Sequence, residues 1–266
     1  MVRNSFPGSL VVLAALLAAC AKEAPKPVPI VEVKGDCADV YKGQVCTWAR
    51  MQDTTVIDVG ATVPVASVEN APKEADMAWP PVAVARLKLP EAAQKQSGFT
   101  ELTVYWEATG HPPGPYMTPH FDFHFYTVAP EDQAAIDCKD NVKPEALAAG
   151  YSLPDQPLPP DMAKMIGVST LVGVCVPGMG MHSLPTAELE SKELFKGNMV
   201  IGYYHGKNVF IEPMLTRDRL MEKKSFDLPI ATIPGQAGIY PRSWKADYDP
   251  QAQSYRFVFT GFAPGK

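Results

Sequence analysis

Residues 119–128 read PHFDFHFYTV. The chain has only five histidines, and this stretch sets two of them, His120 and His124, on either side of Asp122 at alternate positions. Successive side chains of a strand face opposite ways. His120, Asp122, His124 and Tyr126 therefore share one face, and Phe121, Phe123, Phe125 and Thr127 share the other. The phenylalanine face suits a core. The imidazole and carboxylate face suits a divalent metal or a polar ligand. Side chains two positions apart lie ~7 Å apart along a strand, so Asp122 with His124 is expected as the tighter pair. His120 and His124 are ~13 Å apart in a straight strand. They meet one ion only if a bulge bends it, so His120 is expected as a third ligand or as a partner behind the ligands.

Other segments must complete such a site. Pro177 to His182 (PGMGMH) reads as a strand end opening into a glycine loop that delivers His182. Phe210 to Met214 (FIEPM) sets Glu212 among apolar neighbours, where a carboxylate needs a cation or a donor. A hairpin turning at His205-Gly206-Lys207-Asn208, with Gly206 first in a type II′ turn, pairs Glu212 with Ile201 and gives it a face shared with Tyr203 and Phe210. That register leaves His205 at the turn, outside the site. His111 lies in the loop GHPPGPY that leads into the histidine strand, and is a candidate to close over the site or carry protons. Tyr126 and Tyr116 are candidates for supporting roles. Met179 and Met181 either add soft thioether ligands that favour copper(I) or fill a tight turn. The bland alternative for the whole set is a polar cluster in which the histidines bind backbone or face solvent.

The elements that would position these residues are short. With 27 prolines and 19 glycines, the chain reads as strands and loops, an all-β antiparallel sandwich or barrel with a few short helices. Candidate strands are 54–59, 82–89, 101–108, 120–128, 168–176, 199–205, 209–214, 226–233 and 255–262. Short helices are expected at 129–136, 144–149 and 216–223, and a second hairpin at 243–259 turns around Asp249-Pro250.

The first 19 residues read as a signal peptide. Leu10 to Ala19 is an apolar run too short to span a bilayer, which needs ~20 residues. It ends in LAAC, which resembles the lipobox of bacterial lipoproteins and implies that Cys20 is lipidated, palmitate included. Ala21 at the next position implies the outer membrane, facing the periplasm. An ordinary signal peptide cut near Ala19 implies export as well. Residues 20–33 read as a lipidated cysteine and an extended proline-rich tether, and 34–266 as a single β-rich domain. Cys37, Cys46, Cys138 and Cys175 then remain, which implies two disulfides. Cys37–Cys46 and Cys138–Cys175 are the expected pairs. A cysteine metal site lacks any C-x-x-C pair. Loss of the leader removes Arg3, one of 24 basic side chains against 29 acidic ones, so no long-range field draws nucleic acid or anionic lipid. The expected partners are the membrane, through the lipid, and a metal or small ligand.

The segments PHFDFHFY, GMGMH and FIEPM together resemble a family of extracytoplasmic bacterial β-proteins of unassigned function, over about residues 100 to 225. The resemblance implies an all-β domain that self-associates as a homo-oligomer, and it lends no chemistry. The site is also loosely similar to that of cupins, although H-x-D-x-H replaces their H-x-H and the glutamate comes about ninety residues later. Three functions follow: a metal-dependent enzyme using zinc, iron, manganese or copper, a non-catalytic carrier of a metal or small ligand, and a self-assembling structural envelope lipoprotein. No G-x-S-x-G, phosphate-binding loop or H-E-x-x-H is present, so serine hydrolase, phosphate-loop and zincin readings have no support.

Overall fold

The computed structural model describes Met1 and residues 28–74, 78–236 and 238–264. Apart from Met1, the stretch read as a signal peptide lies outside the described residues, as do Cys20 and the start of the stretch read as a tether. The fold is all-β with a few short helices, and its two main sheets are antiparallel. The smaller of these has six strands in the order Ile30–Val40, Gly43–Gln52, Thr55–Pro64, Ser254–Thr260, Ser243–Asp249 and Phe226–Leu228. The larger has seven, in the order Ala85–Lys88, Glu101–Glu107, His120–Tyr126, Lys207–Thr216, Gly197–Tyr204, Met181–Pro185 and Tyr151–Ser152.

The two sheets share one core, as in a sandwich. Phe121, Phe123 and Phe125 project from the histidine strand into it, beside Phe257 and Phe259 of the facing sheet. Phe123 meets Phe257 edge-on at 4.9 Å between centroids, and Phe125 meets Phe259 at the same distance. A second apolar cluster lies on the other side of the larger sheet. Tyr116, Tyr126, Ile136, Val174, Phe195, Phe210 and Met214 belong to it, drawn partly from loops. The histidine strand is thus buried on both faces, and all seven of its residues are buried.

Several expectations change. The chain enters its first strand at Ile30, inside the stretch read as a tether. This is an edge strand, mostly exposed, so its hydrophobic alternation is weak and sequence pattern passes over it. The stretch 168–176 is not a strand beyond Thr170–Leu171, because the backbone turns left-handed at Gly173 (φ 60°) and Val174 (φ 51°). No helix forms at 144–149. Helices do form at Pro130–Ala134 and Arg217–Met221, the latter capped by the Thr216 hydroxyl accepting from the Arg219 N–H. The Ser243–Asp249 and Ser254–Thr260 strands make the second hairpin. Both disulfides form as expected, Cys37–Cys46 tying the first two strands and Cys138–Cys175 tying two loops.

Phe123→Ala is expected to lower stability by about 3–5 kcal/mol, the range for emptying a buried phenylalanine site. Urea unfolding should show a lower midpoint at an unchanged slope.

Candidate metal centre

The polar face of the histidine strand carries the site. The neighbouring strand places Thr103 opposite His124, Tyr105 opposite Asp122 and Glu107 opposite His120. On the other side the pairs Phe210↔Tyr126 and Met214↔Asp122 put Glu212 opposite His124. The hairpin register differs from expectation by one residue. Val200, not Ile201, pairs with Glu212, and the register shifts between Gly202 and Tyr203. The Asn208 side chain stabilises that shift by donating to the Gly202 and Phe210 carbonyls. Tyr203 consequently points to the sandwich core rather than sharing a face with Glu212. His205 and Gly206 both have positive φ (49° and 70°) and form the central pair of a type I′ turn, not a II′ turn. His205 is largely exposed and pairs with Asp140, away from the site.

His182 reaches the site from a strand three places from His124, ~14 Å away at ordinary strand spacing. Gly202, its direct partner, lies between them. A Cβ at Gly202 would run into the Phe210 ring. The absent side chain lets Phe210 lie across the sheet, 4.5 Å from His124 and 5.1 Å from His182 between centroids. His111 arrives from the loop before the strand. Gly110 (φ 71°) permits the tight return there, because a Cβ would strike the Tyr116 carbonyl.

The ligating atoms fall into two groups, each with its atoms within 4.8 Å of one another: His111, His120 and Asp122, and His124, His182 and Glu212. In the first, His111 Nε2 lies 3.2 Å from His120 Nε2, and His120 Nε2 lies 3.3 Å from Asp122 Oδ1. In the second, His124 Nε2 lies 3.4 Å from His182 Nε2 and 3.5 Å from Glu212 Oε2. Asp122 therefore sits with His120 and His111 rather than pairing with His124. The strand does not need to bend, since each histidine has a carboxylate and a second histidine of its own.

The opposite ring atoms explain why these contacts matter. His111 Nδ1 donates to the Pro112 carbonyl at 2.9 Å, His120 Nδ1 to Thr118 at 2.7 Å and His182 Nδ1 to Val174 at 2.9 Å. A carbonyl only accepts, so each Nδ1 carries the proton and each neutral ring keeps a bare lone pair on Nε2. The lone pairs of His111 and His120 consequently face each other. Asp122 Oδ1, Glu212 Oε2 and His124 Nδ1 are buried without a hydrogen-bond partner. Such groups normally find one.

Burial shapes the protonation. Desolvation lowers His120 and His124 well below the ordinary histidine value and brings His182 to about 4. Desolvation, then the Glu212 charge, raises Asp122 well above the carboxylate range, and desolvation raises Glu212 to about 8. The two carboxyls are hydrogen-bonded to each other. Neutral imidazoles with accessible lone pairs, beside carboxyls that resist ionisation, make a donor set for a cation. His111 remains 37 % exposed at the side chain and marks one approach from solvent.

The supporting candidates take other parts. The Tyr126 hydroxyl donates to the Gly178 carbonyl at 3.3 Å, while its ring stacks on His124 at 5.8 Å. Burial raises Tyr126 well above the usual tyrosine value. The Tyr116 hydroxyl donates to Glu188. Met181 is buried in the sandwich core, on the opposite face from His182, so it is packing rather than a ligand. Sequence reading missed Tyr105, whose ring meets His124 edge-on at 5.2 Å, and Glu107, which acts electrostatically on both carboxyls. The alternation in ELTVYWE carried that signal, because it puts Glu101, Thr103, Tyr105 and Glu107 on one face.

No protein-family model, curated protein or solved structure matches this chain.

Metal-free protein should depend on pH through Glu212. The unfolded chain ionises this group near its ordinary value of 4.5, whereas the folded protein keeps the proton until about pH 8. In that window the folded state binds more protons, so stability falls as pH rises. The histidines act oppositely, costing stability as pH falls below 6.5. At pH 8, metal-free Glu212→Gln is expected to exceed metal-free wild type by about 2–4 kcal/mol, and the gap should close toward pH 4.5. Urea unfolding across pH reads this directly.

Proposed function

We propose that this protein is an exported bacterial lipoprotein, anchored through Cys20, that holds a divalent transition metal on its larger sheet. The facing His111 and His120 lone pairs carry the reading. At 3.2 Å two unprotonated nitrogens repel unless a proton or a cation lies between them, and burial disfavours the proton on His120. In each group two donor spacings, 3.2–3.5 Å, fit tetrahedral coordination, and the third is longer, 4.0 Å from His111 Nε2 to Asp122 Oδ2 in the first group. Metal bonds of about 2.0–2.1 Å place tetrahedral donors about 3.3–3.4 Å apart.

Histidine with carboxylate suits zinc, iron, manganese or copper. Three protein ligands per group leave a coordination position open, the arrangement of catalytic rather than closed structural sites. This supports metal-dependent chemistry over permanent storage. The two disulfides suggest an oxidising, extracytoplasmic environment, and among the described residues no helix is long and apolar enough to cross a membrane. Lipid anchoring, placement in the outer membrane and kinship with extracytoplasmic bacterial β-proteins belong to the same proposal.

Full-length protein purified without chelators should contain a transition metal by mass spectrometry. Asp122→Ala, His124→Ala and Glu212→Ala should each lose metal, while His205→Ala should retain it. A wild type that stays metal-free after reconstitution would leave the site a polar binding surface. For the anchor, Cys20→Ser should abolish fatty-acid labelling and move the protein from the membrane to the soluble fraction. Unchanged labelling would exclude a lipid on Cys20.

A further inference from the structure

The six donors are too dispersed for one ion. An octahedral ion holds even its opposite donors within about 4.3 Å of one another at ordinary bond lengths. A shared ion would therefore gather all six into a single compact group, whereas they form two. The groups are built alike. Each has two imidazoles with Nε2 atoms 3.2 or 3.4 Å apart, and one carboxylate oxygen that is buried and unpartnered. Each also has one histidine, His111 or His182, that is only partly buried, while its other two members are buried. The groups meet at the Asp122–Glu212 carboxyl contact.

We propose that the protein binds two divalent transition-metal ions, one in each two-histidine, one-carboxylate group, with Asp122 and Glu212 adjoining between them. This rests on the metal reading above and deepens it from a metal site to a two-ion centre. The strand supplies the repeat, since residues 120, 122 and 124 stand on one face and the central carboxylate of the triplet lies toward the Glu212 strand. His120 begins one half-site and His124 begins the other. The second histidine of each half comes from elsewhere, His111 from the loop before the strand and His182 from the Met181–Pro185 strand that follows the turn at residues 176–180. With three protein ligands each, both ions would keep a coordination position open to a ligand, and the partly exposed His111 and His182 mark where each ion enters.

The test is a count of zinc per chain after reconstitution of the full-length protein with zinc(II) and removal of excess, by elemental and native mass spectrometry. Two equivalents are expected in wild type. His111→Ala and His182→Ala should each retain one, and the double variant none. One equivalent in wild type, lost in either single variant, would overturn the two-ion proposal while leaving the metal reading intact. No zinc in wild type would overturn both. The wild-type count decides between one ion and two even if a variant fails to fold.

Discussion

Four imidazole Nε2 atoms are drawn together on one side of a sheet, and their orientation depends on what the other ring nitrogen does. Backbone carbonyls at Pro112, Thr118 and Val174 fix three of the four rings. A carbonyl behind a histidine selects the tautomer, holds the ring plane and strengthens the lone pair on the far nitrogen. None of these carbonyls comes from the strand ladder itself. They come from loops that must be held in turn, by Gly110 at the first turn and by Cys138–Cys175 beside Val174. The sheet thus sets the spacing of the histidines, and the loops set their aim.

The arrangement is costly without a cation. Buried carboxyls and imidazoles without full partners lose solvation, and the low-dielectric surroundings that strengthen a satisfied network also penalise an incomplete one. The sandwich behind the site offsets that cost. Phe121, Phe123 and Phe125 occupy the core face of the same strand that carries His120, Asp122 and His124. The element under the most electrostatic strain is therefore the one most deeply anchored by apolar packing. Aromatic rings complete the enclosure, with Phe195 against His120 and Phe210 against both His124 and His182.

Much of this was legible because a strand's period of two is strict. PHFDFHFY declares a buried face and a chemical face, and Glu212 in FIEPM reads as a carboxylate lacking a partner. Counting cysteines implied two disulfides, and the short loop between Cys37 and Cys46 favoured one of the three possible pairings. Other features depended on longer-range geometry. Whether Asp122 pairs with His120 or His124 is set by where His111 and Glu212 arrive, which local spacing cannot say. The one-residue hairpin shift rests on Asn208 bonding two carbonyls, a side-chain effect invisible to alternation. The Ile30–Val40 strand is mostly exposed, so it offers little hydrophobic pattern. In 168–176 the apolar run looks like a strand, but Gly173 and Val174 take left-handed backbone and the disulfide folds the segment back.

That fold-back connects the compartment to the site. Cys175 follows Val174 directly, and the Val174 carbonyl is the acceptor that orients His182. Cys138 lies just after Ile136, whose carbonyl accepts from the Gly178 N–H at the head of the turn delivering His182. The disulfide closes a frame around one histidine. In a reducing environment the two loops would be tied only by such hydrogen bonds, and the carbonyl that aims His182 would lose its covalent support. The bond that suggests an oxidising compartment is therefore also a support of the group formed by His124, His182 and Glu212.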